Sequence, residues 1–107
     1  MRWSVGFLNE EVKDALDDLP PDLRASFQHI VELIRAHGLE RVREPYLKHL
    51  EGPLWEMRLK VRSGVARAVY VTATGMRIVV VHLFAKKTQK TPRKEIIQAL
   101  KKAKEVQ

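Results

Sequence analysis

The sequence predicts an α+β domain in the order β-α-α-β-β-β-α: an antiparallel sheet packed on an N-terminal helical hairpin, with a C-terminal helix. Three observations predict it. Apolar residues recur at spacings of three and four between residues 10 and 37, the period of a helix with one buried face. From Leu54 the period becomes two, interrupted by turn residues at Ser63-Gly64 and Thr74-Gly75. After Thr91-Pro92 the helical period returns. The chain has 107 residues, 45% of them hydrophobic, which suits a single domain spanning residues 1–107. No repeat, low-complexity tract or interdomain linker interrupts it.

Each element follows from local chemistry. Trp3, Val5 and Phe7 alternate with polar or small residues and read as a first strand. Asn9 can cap a helix whose first turn carries Glu10 and Glu11, where acids suit the helix dipole. Its stripe is Val12, Ala15, Leu16 and Leu19, and Pro20-Pro21 stops it. Pro21 or Asp22 opens a second helix striped by Leu23, Phe27, Ile30, Val31 and Ile34, with Gly38 as its stop. Residues 39–53 lack a clean period and read as a connection with an extended piece at Tyr46–Leu50. Three strands are expected at Leu54–Arg62, Val65–Thr72 and Arg77–Phe84, the last apolar on both sides and so central. Thr91 reads as an N-cap with Pro92 at the first helical position, and Ile96, Ile97, Leu100 and Ala103 stripe the final helix.

Register places side chains on faces. A two-residue turn at Arg62-Ser63 pairs residues whose numbers sum to 125, so Arg58 faces Arg67. A two-residue turn at Thr74-Gly75 pairs numbers summing to 149, so Arg67 faces His82. Arg58, Arg67 and His82 then form one row, with Lys60 nearby and Glu56 on the same side as a partial neutraliser. Trp55, Met57, Leu59 and Val61 take the opposite face, which the N-terminal helices cover. Opposed guanidinium groups are tolerated where water or an anion screens them, and their fork geometry fits phosphate. The pattern alone leaves two readings open, a solvated charged face or an anion site. His82 is likewise either a packed strand histidine or a general acid or base.

Composition narrows the partners. Twenty Lys+Arg against thirteen Asp+Glu give a formal charge of +7. From Arg58 onward only Glu95 and Glu105 are acidic, so the positive field belongs to the C-terminal half. Such a field favours phosphate backbones, acidic lipid or an acidic protein. The absence of cysteine excludes disulfides, thiol chemistry and Cys-ligated zinc. His29, His37 and His49 lack metal-site spacing. No apolar run approaches a membrane span, and the first residues lack the pattern of a signal peptide, so a cytoplasmic protein without a membrane partner is expected. The loop Lys86-Lys87-Thr88-Gln89-Lys90 ahead of a helix N-terminus is either a phosphate clamp or a solvated loop.

The segments LKHLEGPLWEMRLKV, ARAVYV and IVVVHLFAKKTQKTPRKEI occur in that order over and just beyond Lys48–Pro92, from Leu47 to Ile96. Together they resemble the RelE/HigB superfamily of type II toxins, in its phage-derived HigB-like branch, and the preceding strand and helices extend the resemblance over almost the whole chain. The resemblance implies a ribosome-dependent mRNA endoribonuclease, independent of metal or other cofactor, neutralised by a cognate antitoxin of helix-turn-helix type. Sequence-specific DNA binding by this chain is not expected. It further implies that Arg67 contacts the scissile phosphate, that Arg58 and Lys60 assist, and that His82, Lys86, Lys87 and Lys90 supply the remaining basic or proton-moving groups. The chain departs from the pattern at Ala66, where many relatives have an aromatic, and has no tyrosine in its last helix. The general base and acid are therefore left open. The implied reaction is attack by the RNA 2′-hydroxyl on the adjacent phosphorus, giving a 2′,3′-cyclic phosphate. The alternatives are a non-catalytic RNA- or ribosome-binding module, and an inactive toxin fold that serves only as an antitoxin partner.

Overall fold

The computed structural model describes residues 2–86 and 90–106. Five strands form one sheet in the order β1-β5-β4-β3-β2, where β1 is Ser4–Phe7, β2 Leu47–Glu51, β3 Leu54–Val61, β4 Gly64–Ala73 and β5 Arg77–Lys86. Helices α1 (Glu10–Asp17) and α2 (Pro21–His37) lie on one face, and α3 (Arg93–Ala103) lies on the other.

The expected starts and stops have the expected causes. Asn9 accepts a hydrogen bond from the Val12 amide at 3.0 Å and caps α1. Pro21 opens α2, where its missing N–H removes no helical bond. Gly38 closes α2 at φ +89°, a conformation reserved in practice for glycine, and a Cβ there would meet the Glu40 carboxylate. A 3-10 turn at Leu39–Arg41 follows, and the extended piece expected near Tyr46–Leu50 is β2.

The sheet is antiparallel from β2 to β5, and β1 joins it parallel to β5. β1 and β5 are not consecutive in the chain: the connection from β1 through α1 and α2 crosses the whole sheet to β2 at the opposite edge. β5 is interior, flanked by β1 and β4, while β4 occupies the centre of the sheet. α2 packs on β3 and β4, and α1 packs on β5 and β1. The helices bury Val12, Leu16, Leu23, Phe27, Ile30, Val31 and Ile34 against Met57, Leu59, Ala66, Ala68, Tyr70, Ile78 and Val80. Trp55 belongs to that face but lies near the β2 edge, 41% exposed beside His49.

On the second face α3 covers Leu54, Val69, Val71, Val79 and Val81. Its buried contact is Ala99, and Ile97 is 42% exposed. The inward stripe is thus Ile96, Ala99, Leu100 and Ala103, rotated from the expected one because a small residue lets the helix axis approach the sheet. Two cores therefore share one sheet, and the α3 half covers only part of its face.

Candidate nucleic-acid interface

The β3–β4 hairpin turns through Arg62-Ser63 and pairs Val61 with Gly64, so Arg58 stands directly opposite Arg67. Like charges in that position destabilise a sheet unless something neutralises them. Glu56, two residues before Arg58 and so on the same face, does this. Its Oε2 lies 3.4 Å from Arg67 Nε and 3.6 Å from Arg58 Nε. Glu56 is 2% exposed and Arg67 5%, whereas the Arg58 side chain is 25% exposed.

Arg67 is the most perturbed member. Burial lowers its pKa from the ordinary guanidinium value, Glu56 opposes that shift, and Arg58 adds to it. Its Nε is buried without an aligned hydrogen-bond acceptor, and its Nη1 reaches the Ala66 carbonyl only at 3.4 Å. A nearly dry guanidinium with unspent donors is a good receptor for an anion.

His82 shares this face but does not oppose Arg67. Phe84 does, and His82 opposes Val69. Two irregularities cause the difference. The turn holds three residues, with Met76 at φ +56°, and pairs Ala73 with Arg77; a β-bulge between Val69 and Tyr70 then adds one residue on β5. Each shift alone moves His82 to the other face, and together they restore it, displaced by two residues. Both ring nitrogens are engaged by α3: Nε2 lies 2.8 Å from Glu95 Oε1, and Nδ1 lies 3.0 Å from Lys102 Nζ. An ammonium can only donate, so Nδ1 accepts and Nε2 carries the proton given to Glu95.

The expected lysines divide. Lys60 is exposed near the hairpin end, opposite Val65. Lys90 is exposed beside Thr91. Lys86 pairs with Val65 through its backbone, but its side chain and the whole of Lys87 lie outside the described residues.

Thr91 does not cap α3. Pro92 occupies the cap position without a side-chain bond, and Thr91 Oγ1 donates to Glu56 Oε1 at 2.6 Å. Nearby, Arg93 pairs with Glu51 of β2, which lowers the Glu51 pKa and raises that of Arg93. The start of α3 is thereby tied to both strands of the β2–β3 hairpin.

The family model described as "Phage derived protein Gp49-like (DUF891)" matches residues 14–104. The chain belongs to this Gp49-like family of RelE/HigB-like proteins. The Gp49-like chain also has the RelE fold. It is similar to the toxin RelE of E. coli, solved as a doubly substituted variant in the free state, with a TM-score of 0.64, 19% identity, and coverage of 94% of this chain and 97% of that one. It is similar to a chain of the archaeal RelE–RelB complex from Pyrococcus horikoshii OT3, with a TM-score of 0.60, 22% identity, and coverage of 79% and 96%. No curated protein matches the sequence.

Three features of the site escaped sequence reasoning. The bond from Thr91 to Glu56 spans 35 residues, and no local pattern announces it. The Glu95 and Lys102 partners of His82 carry a usable signal, since with Ala99 they stand at i, i+4 and i+7 on one face of α3. The bulge left no recognisable mark, since no glycine occurs at its position.

Proposed function

We propose that this Gp49-like protein is the toxin of a type II toxin–antitoxin pair and cuts mRNA on the ribosome. The observation that carries the proposal is the opposed Arg58/Arg67 pair around one buried carboxylate. In the reaction a base takes the proton of an RNA 2′-hydroxyl, O2′ bonds to the adjacent phosphorus, and the bond to O5′ breaks. The 5′-oxygen leaves with a proton, and a 2′,3′-cyclic phosphate remains. The need for a 2′-hydroxyl selects RNA over DNA.

Arg67 and Arg58 stabilise the extra negative charge on the phosphorane-like transition state, and the low local dielectric around Arg67 strengthens that effect. Lys60, Lys86, Lys87 and Lys90 hold flanking phosphates. His82 is the proton carrier of this face: a phosphate that draws the Lys102 ammonium away from Nδ1 leaves that nitrogen as a free base. The archaeal relative was solved as a RelE–RelB complex. By that analogy the present chain is held inactive by a cognate antitoxin, which we assign to the helix-turn-helix type.

Expression of the wild type with and without Arg67→Ala tests the reading. Growth arrest with mRNA cut on ribosomes, relieved by the substitution, is expected. Salt-sensitive RNA binding without cleavage would instead make the face a binding module. Harmless expression with intact mRNA and tight binding to an antitoxin would leave an inactive partner fold.

A further inference from the structure

The side chain that joins the two parts of the basic face is a neutral one. Thr91 is 8% exposed and stands between Lys90 and the start of α3. A threonine before a proline at a helix start ordinarily turns its hydroxyl toward the helix amides. Here it points across the sheet to a carboxylate 35 residues earlier.

The effect on that carboxylate follows from the distances. Neither arginine makes an aligned hydrogen bond to Glu56; both are held by charge, with Nε at 3.4 and 3.6 Å from Oε2. Among the described residues, the hydrogen bond to Glu56 comes from Thr91, on Oε1. A carboxylate free to rotate could present both oxygens to one guanidinium and abandon the other. With Oε1 committed to Thr91, Oε2 remains as a single shared point between two cations, and both approach it through Nε.

We propose that Thr91 is a positioning residue for the arginine pair. Through Glu56 it sets the spacing of Arg58 and Arg67, and by the same bond it holds Lys90 and the α3 N-terminus on the same side of the sheet. The arginine pair and the Lys90 end of α3 are thereby registered on one RNA phosphate run. The inference rests on the reading of this face as an RNA site, and its test separates the two.

The test uses the full chain and three variants. Thr91→Val replaces the hydroxyl with a methyl of similar size, Thr91→Ser keeps the hydroxyl, and Thr91→Ala serves if the valine variant does not fold. Two probes are read: mRNA on ribosomes for cleavage, and a short single-stranded RNA carrying a 2′-deoxy linkage, which cannot be cut, for binding. The Nε–H resonances of Arg58 and Arg67 are followed by NMR. Losing a hydrogen bond to a charged group is expected to lower kcat about 10- to 100-fold in Thr91→Val or Thr91→Ala, with KM changed less. Thr91→Ser is expected to stay within about threefold of the wild type. The arginine resonances move in the variants lacking the hydroxyl and hold in Thr91→Ser.

Unchanged kcat and arginine resonances in Thr91→Val overturn the proposal. Equal losses in Thr91→Ser and Thr91→Val also overturn it, since packing and not the hydroxyl would then matter. If the wild type cuts nothing, the functional reading fails while this one is still decided: weakened binding of the deoxy-substituted RNA without the hydroxyl supports it, and unchanged binding refutes it.

Discussion

Arg67 and Glu56 are two halves of one electrostatic arrangement, and they should fail differently. In the proposed reaction Arg67 stabilises charge in the transition state, so Arg67→Ala is expected to lower kcat about 10²- to 10³-fold. Removing Glu56 leaves Arg67 buried without a counter-charge, so Glu56→Ala is expected to cost about 3 kcal/mol of stability, read as a shift of the urea midpoint at constant slope. At this scale the sequence was partly legible. The opposed arginines followed from one two-residue turn, and the placement of Glu56 followed from its two-residue distance to Arg58. The depth of its burial and its bond to Thr91 did not, because both depend on where α3 begins relative to β3, a contact of high sequence separation.

Helix α1, helix α2 and the β3–β4 hairpin were legible because their signals are local: a cap, a proline pair, a stripe and a turn. The β4–β5 ladder was less so, because a turn of three residues and a bulge shifted register twice, and the shared face of Arg67 and His82 survived only because the shifts cancel in parity. Helix α3 was located correctly but rotated, because its closest approach to the sheet uses Ala99 and not the larger Ile97. Its orientation is open to test. Ala99→Leu overfills the contact and is expected to cost about 1–3 kcal/mol. Ile97→Ser changes an exposed site and is expected to stay within about 0.5 kcal/mol of the wild type. Thermal melts of the two variants distinguish the observed orientation from one with Ile97 inward.

Positive charge is concentrated from Arg58 onward, in the strands that carry the arginine pair and in α3, and that distribution could be read directly from the order of charged residues along the chain. Binding of single-stranded RNA should accordingly weaken with salt, with log K falling by about 0.7 per tenfold salt for each phosphate neutralised. Lys60→Ala is expected to flatten that slope by about 0.7 if Lys60 holds one phosphate. The core sets an alkaline limit of its own. Burial raises the Tyr70 pKa well above its ordinary value of 10.0. The unfolded chain ionises first, so this contribution to stability is complete below about pH 10 and is lost as pH rises further. Tyr70→Phe should therefore flatten the alkaline limb of a stability profile measured by urea unfolding. Cutting of RNA by the Arg58/Arg67 face is read out by mapping mRNA ends on ribosomes exposed to wild-type protein and to folded Arg67→Ala. New 2′,3′-cyclic phosphate ends are expected with the wild type, and their loss with Arg67→Ala. Intact mRNA with the wild type, or equal cutting by both proteins, would contradict it.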